Sequence, residues 1–331
     1  MDSALPFDDI RGLLASLPEA DANAAVRVRT LFAKADKPHG SLGRIEEVAE
    51  WLAAWTGRAP PFVRRPLVAI FAGNHGIARH GVEPPAAVAT ARAVELCAAG
   101  GAAINQVCIA HDLGLKVFDL ALDVPTGDIS TEAALSERDC AATMAFGMEA
   151  IADGTDLLCL GDLGAGNSTV AAALLAALFG GEGADWISPS SDEAIAQRRA
   201  AIVDAALALH GGHLGNPLEA LRRFGGREFA AIAGAILAAR TQKIPVLIDG
   251  RAGLAAAAVL HALDPAALDH CLLAGLPPQA AYRQAAEKIG LKPLLDLCLD
   301  HGEGVGAGLA AGLVKAAALV SSGMALAVRE H

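Results

Sequence analysis

Five short, almost continuously apolar runs constrain this chain most: Leu67–Ala72, Lys116–Leu122, Asp156–Leu160, Pro245–Ile248 and Cys271–Ala274. A strand with one wet face alternates polar and apolar residues. These runs do not, so they read as strands covered on both faces, the habit of a parallel sheet. Between them lie long Ala-rich stretches with helical patterning, Thr169–Phe179, Asp192–Leu209, Glu228–Ala239 and Ala252–His261. The βαβα order predicts an open, doubly wound, mostly parallel α/β sheet of Rossmann-like type, with ligands beyond the carboxyl ends of the strands. The chain ends differ from this middle. Residues 8–57 read as helices with Ile45, Val48, Trp51, Leu52 and Trp55 on one face, and the segment after Gly302–Gly308 reads as one apolar helix through Val328. The expected division is a large nucleotide-binding α/β domain over 66–290 and a small helical lobe built from 1–65 and 291–331.

Composition removes several function classes. Lys+Arg 26 against Asp+Glu 37 gives a net charge of −11, which opposes binding to nucleic-acid backbones or anionic membranes. Only 13 aromatic residues (Trp 3, Tyr 1, Phe 9) leave little to stack on single-stranded bases. A hydrophobic fraction of 53% excludes disorder for most of the chain. The longest uncharged stretch, Leu163–Gly181, is interrupted by Gly164, Gly166, Asn167, Ser168 and Thr169, and no membrane span is expected from it. The acidic start MDSALPFDDI has no signal-peptide core, and six cysteines without a CxxC pair read as core thiols of a soluble cytoplasmic protein.

Five loops carry the chemistry. In LLCLGDLGAGNSTVAAALL, residues 157–175, a buried strand runs through Gly161, Asp162, Leu163, Gly164 and Gly166 into Asn167, Ser168 and Thr169 at a helix start. Glycines let a ligand approach the backbone, Ser or Thr caps the helix, and the free N–H groups attract an anion such as phosphate. It is neither a Walker A loop nor GxGxxG, which removes a dinucleotide oxidoreductase. A tight, well-capped turn explains the same residues. FAGNHGIARHGV, residues 71–82, puts Asn74 and His75 at a strand end. No carboxylate lies between His75 and His80, so no metal site is expected, and local hydrogen bonds are the plain alternative. PVLIDGRAG, residues 245–253, ends a strand on Asp249, a hydroxyl acceptor or equally the N-cap of the helix that follows. CLDHGEGVGAGLAAGLV, residues 298–314, sets Glu303 between two glycines at the mouth of an apolar helix. A desolvated carboxylate there suits general-base work, while complementing the helix dipole is the alternative. In KPHGSLGRIEEVAEWLA, residues 37–53, Ser41 and Arg44 face an anion or simply begin a helix.

The order of these five segments resembles the nicotinate-nucleotide:dimethylbenzimidazole phosphoribosyltransferase family of cobalamin lower-ligand synthesis. KPHGSLGRIE is similar to its KPxGSLGRLE signature, GNHGIARHGV to its DHGV loop and GDLGAGNST to its GELGxxNTT loop; PVLIDG and HGEGVGAGLA resemble its LDG and GEGxGA segments. The likeness covers roughly residues 25 to 320. It implies transfer of the phosphoribosyl group of nicotinate mononucleotide to 5,6-dimethylbenzimidazole or a related base, without cofactor or metal, in a homodimer. Glu303 matches the catalytic glutamate, and the loop Asp162, Leu163, Gly164, Gly166, Asn167, Ser168, Thr169 lies against the nucleotide. Asn74, His75 and Asp249 join the substrate-binding set. The sequence also departs from the pattern. Pro85 and Ala93 stand where Ser and Gln line the base pocket, Arg198 or Arg199 where a Lys is expected, and Pro277 for a Ser. Asn74 and Asp162 replace an Asp and a Glu, and Ile187-Ser188-Pro189 replaces a Gly-rich turn. A member accepting a different base, and one that binds nucleotide or base without turnover, stay open alternatives.

Overall fold

The computed structural model describes residues 6–83, 90–151, 154–188 and 192–327. In chain order the elements are α1 (Asp8–Leu14), α2 (Ala22–Lys34), α3 (Arg44–Thr56), β1 (Pro66–Ala72), α4 (Thr90–Ala98), α5 (Ala103–His111), β2 (Gly114–Asp119), α6 (Glu137–Glu149), β3 (Leu157–Leu163) and α7 (Asn167–Phe179). There follow α8 (Gly183–Trp186), α9 (Glu193–His210), α10 (Pro217–Phe224), α11 (Arg227–Thr241), β4 (Val246–Asp249), α12 (Gly250–Leu263), β5 (Cys271–Gly275), α13 (Ala280–Lys288) and α14 (Val305–Gly323).

The strands form one parallel sheet in the order β2-β1-β3-β4-β5. Strand order therefore reverses between β1 and β3, and the crevice outside their carboxyl ends is where a doubly wound sheet receives a ligand. Apolar side chains of each strand divide by parity. Leu67, Ala69, Phe71, Leu158 and Leu160 enter a core beneath the helices that include α7, α11 and α12. Val68, Ile70, Ala72, Leu157 and Cys159 enter a second core with α2, α3 and α14. Both faces of β1 and β3 are thus buried, which explains their unbroken apolar runs. β2 departs from that expectation: it is the sheet edge and is half-buried to exposed along its length.

The helices from the two chain ends meet, for α14 packs against α2 and α3 and also lies across β3, β4 and β5. On α3, Val48, Leu52 and Trp55 are buried, with Ile45 and Trp51 half-buried beside them. α14 stops at Gly323 rather than continuing through Val328, which lies outside the described residues. Beyond it Leu326 pairs with Ala35 in an isolated antiparallel bridge, so the chain turns back onto the end of α2. By length and composition alone Val305–Gly323 and Thr90–His111 are apolar enough to cross a membrane, although Lys315 lies within the first and Arg92 and Glu95 within the second. Val305–Gly323 is instead a covering layer of the sheet, and Ala99–Ala102 break the other into α4 and α5. Five cysteines are buried free thiols; Cys298 corrects the expectation for the sixth, being exposed on the loop before α14.

Candidate active site

A cavity of about 420 Å³ opens at the carboxyl ends of β3 and β4. Leu163, Gly164, Ala165, Asn167 and Ser168 form one wall, Asp249, Gly250 and Arg251 another, and Leu299–Gly302 with Val305 and Gly306 a third. Thr90, Ala93 and Pro277 complete it, with Glu83 and Arg199 at its rim. Of the residues singled out in the sequence, Asp162, Leu163, Gly164, Asn167, Ser168, Ser188, Asp249, Ala93, Arg199 and Pro277 line the cavity. Asn74, His75, Gly166, Thr169, Arg198 and Glu303 are not lining residues, and Pro85 lies outside the described residues.

Gly166, in left-handed conformation at φ 88°, begins α7, and no side chain caps it. That corrects the expectation of a Ser168 or Thr169 cap: Ser168 turns to the cavity, while Thr169 is fully buried with its hydroxyl unpartnered. Within the first turn Asn167 N donates to Gly164 O at 3.2 Å, and Thr169 N and Val170 N to Gly166 O at 3.0 and 3.1 Å, so the helix start is closed largely on its own backbone. Asn167 Nδ2 donates instead to Asp162 Oδ2 at 2.6 Å, tying the helix start to the strand end. Burial, then the charges of Glu228 and Asp249, push the Asp162 carboxyl up to about 7. Asp249 does not cap its own helix α12. Its Oδ2 accepts from Ala307 N at 3.1 Å, in the first turn of α14, and burial raises its carboxyl to about 6. Gly306 is what permits this approach, because a Cβ there would collide with the carboxylate.

Glu303 sits just behind the wall formed by Gly302 and Val305. Its residue is buried and left-handed at φ 60°, between Gly302 and Gly304 at φ 76° and 74°. Its N–H donates to Asp162 O at 3.2 Å, so this loop crosses directly over the end of β3. Gly161 makes the crossing possible: a Cβ there would lie 2.7 Å from the Glu303 carbonyl carbon. The carboxylate accepts a long 3.4 Å bond from Ile104 N at the start of α5, and His301 Nε2 lies 3.4 Å from its other oxygen. The Gly161–Gly166 loop and the glutamate segment, far apart in the chain, are therefore one construction.

The His75 side chain makes no local bond. It is buried, and its Nε2 lies 2.5 Å from Oε1 of fully buried Glu228 on α11. Gly73, Gly164 and Gly226 clear the space this pair occupies. His80 goes to a different carboxylate, Asp128, at 2.6 Å, and among the described residues no cluster of three or more His, Cys, Asp or Glu is arranged to hold a metal. Asn74 donates to Leu122 O and accepts from Thr90 Oγ1, which itself accepts from Ala165 N. It braces the loop before α7 from behind. Arg198 bonds the carbonyls of His80 and Gly81, and Arg199 that of Val82. In the KPHGSLGRIE segment Arg44 donates to the carbonyls of Lys292 and Pro293, so it joins α3 to the loop before Glu303 and is a structural residue.

A phosphoribosyltransferase family profile matches residues 17–328. The chain is 62% identical over 325 residues to the nicotinate-nucleotide–dimethylbenzimidazole phosphoribosyltransferase of Rhizobium etli, covering 98% of this chain and 96% of that protein. The enzyme of the same name from Sinorhizobium medicae matches with the same identity and coverage. The chain belongs to this phosphoribosyltransferase family. The crystal structure of a Thermus thermophilus enzyme of the same name superposes with a TM-score of 0.83 at 35% identity, covering 92% of this chain and 97% of that one. Within that family frame, sequence reasoning missed Arg251 and Glu228. Arg251 directly follows the Asp249-Gly250 strand end and was open to notice. Glu228 opens a helix far from any motif, and only the fold brings it to His75.

Proposed function

We propose that the chain transfers the 5-phosphoribosyl group of nicotinate mononucleotide to a nitrogen of 5,6-dimethylbenzimidazole, giving α-ribazole 5′-phosphate and nicotinate for cobalamin lower-ligand synthesis. The observation carrying this reading is the retained, buried Glu303 beside the nucleotide loop in a chain 62% identical to enzymes of that name. The base nitrogen forms a bond to C1′ as the C1′–pyridinium bond breaks, and its electron pair leaves with nicotinate. Nicotinate departs as a stable pyridine and needs no acid. The second imidazole nitrogen loses its proton to Glu303, so orientation and one proton transfer are what the protein supplies.

In this reading the ribose lies near Asp162, the nucleotide runs along Gly164–Thr169, and Asp249 holds the start of α14 and hence Glu303. Asn74 and His75 brace the loop from below. Ala93, Leu163, Pro277, Leu299 and Val305 offer apolar wall to a flat base. Because Ala93 and Pro277 lack side-chain hydrogen-bonding groups, a related base is the second reading of the acceptor. The same proposal includes a soluble, cytoplasmic homodimer; outward Leu96 and Ile109, 48% and 77% exposed beside the open edge of β2, support the self-association. The test is incubation with nicotinate mononucleotide and 5,6-dimethylbenzimidazole, followed by chromatography. Nicotinate and α-ribazole phosphate in equal amounts are expected; mononucleotide binding without either product, across a panel of benzimidazoles, purines and phenols, would refute transfer.

A further inference from the structure

Two guanidinium groups face the cavity, and both are occupied by carboxylates of the chain itself. Arg199 Nη2 lies 3.2 Å from Glu83, while its Nε donates to Val82 O at 2.6 Å. This arginine therefore holds backbone. Arg251 does not. Its fork grips both oxygens of Asp300, Nη2 at 2.8 Å from Oδ2, and the same nitrogen donates to Ser188 Oγ at 2.6 Å and Gln279 Oε1 at 3.2 Å. The guanidinium stacks on the buried Tyr282 ring, 5.3 Å from its centroid. Every polar contact just named for Arg251 is to a side chain and is exchangeable without moving backbone.

A planar fork closed on a carboxylate has the geometry that also accepts two phosphate oxygens. The cavity otherwise repels such a guest, for it carries Glu83, Asp162, Asp249 and Asp300 against Arg199 and Arg251. Asp300 is the member best able to leave. Its side chain is 37% exposed, whereas that of Arg251 is 14% exposed. It rides the segment between Leu295, bonded to Ala274 O, and Glu303, bonded to Asp162 O. Along that segment the other ion pairs are long, Arg283–Asp296 at 3.5 Å and His301–Glu303 at 3.4 Å.

We infer that Arg251 is the phosphate-receiving group of the cavity, and that Asp300 holds its place until a phosphate monoester displaces it. The inference rests on the phosphoribosyl transfer proposed above for the identity of its ligand. Exchange of Asp300 for phosphate leaves the positive charge paired and releases the 296–302 segment, which leads directly into Glu303. Substrate arrival is thereby linked to the position of the general base.

Calorimetric titration of nicotinate mononucleotide and of nicotinate riboside into wild type, Arg251→Gln, Arg251→Lys and Asp300→Asn tests this. Arg251→Gln should weaken mononucleotide binding about 10- to 100-fold, as for a lost charge-assisted pair, with riboside binding unchanged within about twofold. Arg251→Lys should fall between, keeping the charge and losing the fork. Asp300→Asn should tighten the mononucleotide about 3- to 10-fold by removing the competitor. Equal loss for both ligands in Arg251→Gln, or looser mononucleotide binding in Asp300→Asn, would overturn the inference. If Arg251→Gln does not fold, the Asp300→Asn result decides by itself. Inorganic phosphate separates the two readings. Phosphate that raises the Tm of wild type and Asp300→Asn but not of Arg251→Gln supports the inference even without turnover. Turnover with an unchanged mononucleotide KM in Arg251→Gln overturns it and leaves the transferase reading standing.

Discussion

At the amino ends of the strands, His270 and Arg240 are buried beside Trp55; at the carboxyl ends, Asp162, Asp249, Glu228 and Glu303 are buried around the cavity. Both regions take ionisable groups out of water, but they keep them differently. Burial drives His270 down to about 3, and its Nε2 lies 3.0 Å from Ile236 O, so it is a neutral member of the packing. Arg240 stacks 4.2 Å over Trp55 and reaches Asp269 at 3.6 Å, with two of its nitrogens unpartnered. Bulky rings fill this end. At the other end glycines do the spacing, and the carboxyls of Asp162 and Asp249 are lifted to about 7 and 6, where they exchange protons near neutrality. Burial of charge alone therefore does not mark a working site; burial combined with backbone clearance and an open cavity does.

The largest effect that sharpens this contrast belongs to Glu303→Gln. Turnover should fall about 10²–10⁴-fold as a general base is lost, with mononucleotide affinity kept. Equilibrium titration beside steady-state rates checks both halves. Next comes Gly161→Ala, which touches no ligand in this account. Its Cβ, 2.7 Å from the Glu303 carbonyl carbon, forces the glutamate loop off β3, and kcat should drop on the order of 10²-fold by misplacement. A fall confined to thermal stability, with kcat intact, would separate the two loops that the structure joins.

Asp162→Asn tests the proton exchange. Native Asp162 keeps its proton up to about pH 7, while the unfolded chain loses it near 3.8, so the native state binds more protons across that window and stability falls as pH rises through it. Wild type should lose stability relative to Asp162→Asn between about pH 4 and 7, by at most about 1.4 kcal/mol per pH unit, and run parallel above it. Thermal or denaturant unfolding against pH reads this, and parallel curves throughout would remove the carboxyl from the protonated state. The smallest effect is expected at the amino end. Arg240→Met should leave kcat/KM within about twofold and change stability by no more than about 1–3 kcal/mol, since two of the three replaced nitrogens were unpartnered and the third makes only a long 3.6 Å pair with Asp269. A large kinetic loss there would break the division between the two ends.

Much of this was legible in the residues. The five strands emerged near their observed bounds because β1 and β3 are buried on both faces, and the edge strand β2 was found from the same aliphatic content despite its exposure. The Gly161–Gly166 loop, Asp249 and Glu303 all stand at chain reversals that glycine marks. What could not be read was partnership across the chain. Asp249 looks like a cap for its own helix, and instead it serves α14, 58 residues away, through Ala307. His75 looks like a loop histidine until the fold carries Glu228 to it over 153 residues. Gly161 and Gly306 are glycines for the sake of a neighbour that only tertiary structure supplies.

The central claim is a single displacement inside the carboxyl-end cavity, with the acceptor base entering opposite nicotinate. The configuration at C1′ of the product, determined by NMR after incubation of β-nicotinate mononucleotide with 5,6-dimethylbenzimidazole, tests it most directly. The account predicts the α-riboside phosphate, and nicotinate release only while the base is present. A β-riboside, or nicotinate released without base, would contradict it.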